Sequence, residues 1–126
     1  MGAVLEVDVL VVDDDQAVRE SGAEILRSAG LTVAEAENGE IALELLGEIH
    51  PRVILLDLQM PCRDGLAFIA SIDGSTPVIV MSGCQMDDST RQRLRGRVSD
   101  LLLKPVPPLV LMDKVVAACS AYGFSL

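Results

Sequence analysis

The residues most able to do chemistry in this 126-residue chain fall at the carboxyl ends of apolar runs of strand length. Asp13-Asp14-Asp15 follows Val9 to Val12, Asp57 follows Val53 to Leu56, Ser82 follows Val78 to Met81, and Lys104-Pro105 follows Leu101 to Leu103. Each has an ordinary explanation when taken alone. An acidic run after a strand often serves as the N-cap and first turn of a helix, and Asp15 suits that role. Asp57 could be a loop aspartate, and Ser82-Gly83 a turn. Lys104 is harder to explain, because it is one of two lysines in the chain. It closes a Leu-Leu-Leu run, where burial opposes its charge unless carboxylates stand near.

Taken together the set has a chemical logic. Neighbouring parallel strands are about 4.8 Å apart. If the first and third strands are neighbours, Asp13, Asp14 and Asp57 crowd one another. Two carboxylates about 5 Å apart repel by roughly 3 kcal/mol at an effective dielectric near 20. An oxygen-rich, partly open site of that kind suits Mg²⁺, for which Mn²⁺ could substitute, because the ion keeps several waters and takes few carboxylates plus phosphate oxygens. Lys104 adds a fixed positive charge, so a carboxylate could attack phosphorus while charge on the transferring group is neutralised from two sides. The Ser82 hydroxyl could hold a further oxygen.

Positioning these residues requires alternating strands and helices. The apolar runs are continuous, as in strands covered on both faces, and Leu31 to Ala36 is a weaker further strand. Between them, Val18, Gly22, Ile25, Leu26 and Ala29 share a helical face, as do Met112, Val115, Val116 and Cys119. Gly30 falls where the first helix should stop, Asn38-Gly39 forms a turn before a helix at Ile41 to Leu46, and Pro108 suits a first helical turn. The segment Gly65 to Ile72 is short for a helix. The expectation is an α/β fold, one doubly wound five-stranded parallel sheet with helices on both faces, in a single domain over 1–126 with no output domain. Ligands of such sheets bind outside the strands' carboxyl ends.

Composition narrows the functions available. A net charge of −9 disfavours direct nucleic-acid binding, which depends on neutralising phosphates. Charged residues interrupt the apolar runs well short of the roughly 20 residues of a membrane span, and the first residues lack the pattern of a secretion signal, so a cytoplasmic protein is expected. Cys62, Cys84 and Cys119 are too widely spaced for a zinc site or redox pair and read as small, partly buried side chains.

Over nearly its whole length the sequence resembles the response-regulator receiver family of two-component systems, of the chemotaxis-regulator type. The resemblance rests on Val11-Val12-Asp13-Asp14-Asp15, Leu55-Leu56-Asp57-Leu58-Gln59-Met60-Pro61, Asp64-Gly65, Met81-Ser82-Gly83 and Leu103-Lys104-Pro105. It implies a flavodoxin-like strand order 2-1-3-4-5. Asp57 would be the phosphoacceptor, Asp14 a direct metal ligand, Asp13 an acid reaching the metal through water, and the Gln59 carbonyl a further ligand. Ser82 would be the switch hydroxyl and Lys104 the phosphate-binding lysine, joined to Pro105 by a cis peptide. The implied partners are a histidine kinase or His-containing phosphotransfer protein upstream and a downstream protein or output domain. The only chemistry implied is self-catalysed phosphoryl acceptance and autodephosphorylation.

Three positions depart from the family pattern. Leu101 stands where an aromatic ring is usual, and Gln59 and Cys84 occupy positions that tune phosphoryl lifetime. With leucine there, Ser82 is expected to close on the phosphoryl group while Leu101 changes rotamer little, leaving the partner to read residues 83–88. Alternative readings are a receiver cut from a hybrid sensor kinase, a degenerate receiver acting only as a binding surface, and a small Mg²⁺-dependent aspartyl phosphohydrolase of the haloacid dehalogenase type. In the last of these the nucleophile would end the first strand, at Asp13.

Overall fold

The computed structural model describes residues 5–58, 63–72, 74–83, 88–94 and 96–121. Gln59 and Cys84, along with Met60, Pro61 and Cys62, lie outside them.

The elements alternate: β1 Leu5–Val12, α1 Gln16–Ser28, β2 Val33–Ala36, α2 Gly39–Leu45, β3 Ile49–Leu58, α3 Arg63–Ser71, β4 Val78–Ser82, α4 Asp88–Leu94, β5 Asp100–Leu103 and α5 Pro108–Ala121. The five strands form one parallel sheet in the order β2-β1-β3-β4-β5, as expected. Because successive residues of a strand point to opposite faces, the apolar runs feed two cores. Val9, Val11, Val53, Leu55 and Ile79 pack with Leu26 of α1 and with Leu111, Val115 and Cys119 of α5. Leu10, Val12, Ile54, Leu56, Val78 and Val80 pack on the other side with Ala42 of α2, Phe68 and Ile69 of α3 and Leu94 of α4.

Local signals set the boundaries. The Asp15 carboxylate accepts from the Val18 N–H at 3.1 Å and caps α1. Gly30, at φ +91°, takes the left-handed conformation that ends that helix. Asn38 is itself the cap of α2, accepting from the Ile41 N–H at 2.8 Å, so this helix begins at Gly39, two residues before the expected start. Pro108 opens α5. The short third helix is formed, with Phe68 and Ile69 buried.

β3 is longer than its apolar run because Ile49, His50 and Pro51 pair with Leu5, Glu6 and Val7. Pairing with β4 starts only at Ile54. Pro51, which lacks an N–H, therefore lies where the strand has a neighbour on one side only.

α5 is apolar nearly all round. Leu111, Val115 and Cys119 are buried, while Leu109 is 73% exposed and Val110 and Val116 are about 40% exposed. No helix among the described residues is long and apolar enough to cross a membrane.

Candidate functional site

The register of the sheet assembles the site. Val12 pairs with Leu56, so the next residues, Asp13 and Asp57, emerge side by side where β1 and β3 end. Both carry odd numbers, like Val11 and Leu55, and so share the face covered by α1 and α5. Asp57 pairs with Met81, and Ser82 pairs with Leu103, the residue before Lys104. A backbone bond of 2.8 Å from the Lys104 N–H to the Ser82 carbonyl ties these two ends together. The Lys104–Pro105 peptide is cis.

Lys104 Nζ lies 2.5 Å from Asp57 Oδ2. The Asp57 side chain is almost wholly buried, and Asp13 and Ser82 are 2% and 0% exposed. Buried carboxylate oxygens are usually well supplied with donors, since an unmet one costs about 1–3 kcal/mol or more. Among the described residues, and apart from the lysine ion pair, neither oxygen of Asp57 has a hydrogen-bond partner.

Burial, and then the Asp57 carboxyl beside it, push the Asp13 carboxyl up to about 7. The Asp15 N–H, which donates to Asp13 Oδ1 at 2.9 Å, and the charge of Lys104 pull the other way. Asp14 is exposed at the mouth of the turn.

The predicted set is thus unevenly resolved. The structure brings Asp13, Asp57 and Lys104 together and seats Ser82 at the adjoining strand end. Asp14 lies at the surface, and Gln59 lies outside the described residues. Among the described residues no three acidic, His or Cys side chains close into a ready-made metal cage. Mg²⁺ requires none, because it retains waters. Two buried, undersupplied oxygens on Asp57 beside an acid reluctant to ionise are what an oxygen-ligated cation would relieve.

One residue of the site's surroundings gave little signal in the sequence. Arg19 stands in the first turns of α1, where the helix dipole disfavours a cation. That misfit was the available clue. Its side chain, 13% exposed, donates from Nη1 to the Asp13 carbonyl at 2.9 Å and from Nε to Glu35 at 3.3 Å.

Leu101 is half-buried against the core on the α2–α4 side of the sheet. A cleft of about 680 Å³ opens beside the acids, between Val18 and Gly22 of α1 and Pro105 and Val106, and its lining includes Asp13 and Lys104.

The raised Asp13 carboxyl has a consequence for stability. Between about pH 4 and pH 7 the folded chain holds a proton that the unfolded chain has released, so stability should fall as pH rises across that window. The loss should be on the order of 1–2 kcal/mol after allowing for water at the site mouth. Urea midpoints followed by circular dichroism at pH 5 and pH 8 would measure it. Equal midpoints would count against the Asp13 environment described above.

A doubly wound parallel sheet in the order 2-1-3-4-5, with a buried carboxylate and a lysine at the strand ends, is a flavodoxin-like fold. The chain matches the response regulator receiver domain over residues 9–116 and belongs to that family, whose members serve two-component signalling. It is 33% identical over 127 residues to an uncharacterized 14.6 kDa protein of Leptolyngbya boryana, covering 97% of each chain. It is 36% identical over 114 residues to the Regulator of RpoS of Escherichia coli K12, where it covers 88% of this chain and 34% of that protein. It therefore spans about a third of the latter's length. Among solved structures, the receiver domain of the Francisella response regulator 1452 superposes with a TM-score of 0.79 at 26% identity, covering 91% of this chain and 98% of that one.

Proposed function

We propose that Asp57 is the phosphoacceptor of this receiver domain and that Asp14, Asp13, Asp57 and the Gln59 carbonyl hold the Mg²⁺ that the reaction uses. The observation that carries this reading is the buried Asp57 carboxylate, whose oxygens have the Lys104 ion pair and no other donor among the described residues. A bound divalent cation would supply charge neutralisation to the oxygens of the transferring group.

The chain's own residues do the rest. An Asp57 oxygen forms the new bond to phosphorus as the bond from phosphorus to the donor breaks. Lys104 holds positive charge beside the transferring oxygens, and the hydroxyl of Ser82, on the neighbouring strand end, would receive one of them. The donor is a histidine kinase or a His-containing phosphotransfer protein, the reader of the phosphorylated state is a downstream protein or output domain, and the setting is the cytoplasm. Hydrolysis of the aspartyl phosphate closes the cycle without a separate enzyme activity.

The test is Mg²⁺-dependent labelling by a small acyl phosphate, followed by mapping of the labelled residue. Label on Asp57 supports the receiver reading, and label on Asp13 would favour a phosphohydrolase. Asp14→Ala should slow labelling on the order of 100-fold and weaken Mg²⁺ binding. Labelling at the wild-type rate would remove Asp14 from the metal site.

A further inference from the structure

Where the acidic turn leaves the sheet, its backbone loses its neighbour. The Asp13 N–H still bonds to the carbonyl of Ala36, the last residue of β2, at 3.1 Å, but the Asp13 carbonyl has no strand beyond it. Buried carbonyls need partners, and this one is met by a side chain, the Nη1 of Arg19 at 2.9 Å.

The same guanidinium is held by Glu35 through Nε at 3.3 Å, and Glu35 pairs in register with Val11, so it projects to the α1 face. The other oxygen of Glu35 takes Arg27 at 3.3 Å, and Arg27 donates to the Val33 carbonyl at 3.0 Å. A planar guanidinium with two donors committed at once fixes direction as well as distance. The helix that carries Arg19 is itself joined to the turn by the Arg19 N–H, which donates to the Asp15 carbonyl at 2.8 Å.

We propose that Arg19, anchored by Glu35, is a positioning residue for the phosphoacceptor chemistry: it clamps the Asp13 carbonyl and thereby fixes the acidic turn that presents Asp13 and Asp14 to the cation. It touches neither the cation nor the phosphoryl group. Its consequence for cation binding rests on the reading of the site given above. The clamp itself does not, and can be observed in the metal-free protein.

Arg27 supplies the comparison, since it shares Glu35 but donates to a β2 carbonyl away from the acids. In Arg19→Met the Asp15 amide, which donates to Asp13 Oδ1, should exchange with solvent at least tenfold faster than in the wild type, while the amides of Val9 to Val12 stay protected. Mg²⁺ titrated alone and followed by NMR should bind about tenfold more weakly, in line with the usual effect of residues that support ligands. Arg19→Lys, which reaches one acceptor but not both, should recover part of each effect. Arg27→Met should leave Asp15 exchange and Mg²⁺ affinity within twofold, whatever it does to the urea midpoint.

If Arg19→Met does not fold, Glu35→Gln serves in its place, because it loosens the anchor without removing the clamp and should give a several-fold effect in the same two readouts. Unchanged Asp15 exchange in whichever of these variants folds overturns the proposal, as does an equal effect from Arg27→Met. Failure of the wild type to bind Mg²⁺ at all would instead strike the functional reading, with the exchange comparison still deciding the clamp.

Discussion

Asp57→Asn should take up no phosphoryl group, a loss of at least ~10³-fold, because the amide oxygen is no substitute for a carboxylate nucleophile. The variant should nonetheless unfold cooperatively, and at pH 8 it should be more stable than the wild type by about 1 kcal/mol. The sign follows from the neighbours. At pH 8 the wild type holds two ionised carboxylates in a buried pocket with one lysine, and asparagine removes one of them. At pH 5 Asp13 is already protonated, so that relief disappears. Mass spectrometry of the labelled protein and urea titrations at both pH values would check the two halves separately. Residual labelling in the variant would place the phosphoacceptor elsewhere, and loss of the cooperative transition would refute the packing around Asp57.

Lys104→Met should slow phosphoryl acceptance by about 10²–10³-fold, the usual cost of deleting one preorganised positive group at a site of developing charge. The substitution keeps most of the side chain's length and apolar stem, so packing against the loop should survive. It also removes the one cation that draws the Asp13 carboxyl downward. The pH at which stability stops falling should therefore move higher than in the wild type, whereas Asp57→Asn should move it lower. Opposite shifts from two neighbouring substitutions are hard to obtain from general loosening. The same direction in both would show that the Lys104 ion pair with Asp57 does not govern the site.

Much of this arrangement was legible because it is carried by backbone geometry that leaves a trace in sequence. Continuous apolar runs marked strands with two covered faces, and the polar residue after each run marked the binding edge. The crowding of Asp13 and Asp57 followed only if the first and third strands are neighbours, and the strand order implied by the family resemblance, which makes them so, is the order observed. The outer parts were less visible for physical reasons. The first three residues of β3 are held by pairing with Leu5 to Val7, a long-range contact that a run containing His50, Pro51 and Arg52 does not advertise. α4 is polar, and among its described side chains only Leu94 is buried, so it carries no period to read.

Arg19 escaped because its role depends on where the sheet ends relative to the helix. Nothing local to residues 16–20 states that a carbonyl six residues earlier will lack a strand partner. The expectation that Leu101 stays nearly still on activation concerns a side chain now seen half-buried in the core on the α2–α4 side. Of the loop expected to speak for it, residues 83–88, positions 84–87 lie outside the described residues.

The apolar outer surface of α5 bears on how the protein behaves as a colloid. Leu109, Val110 and Val116 on that helix present hydrocarbon to water that no described element covers. Contacts between such surfaces on separate molecules are opposed by the net charge of −9, which makes every encounter between copies repulsive at neutral pH. That repulsion fades as the pH approaches the isoelectric point near 4.4, and salt shortens its reach. The acidity of the chain, unrelated to the chemistry at Asp57, is thus what keeps an otherwise sticky helix dispersed, and acid with salt is the condition under which the protein should first come out of solution.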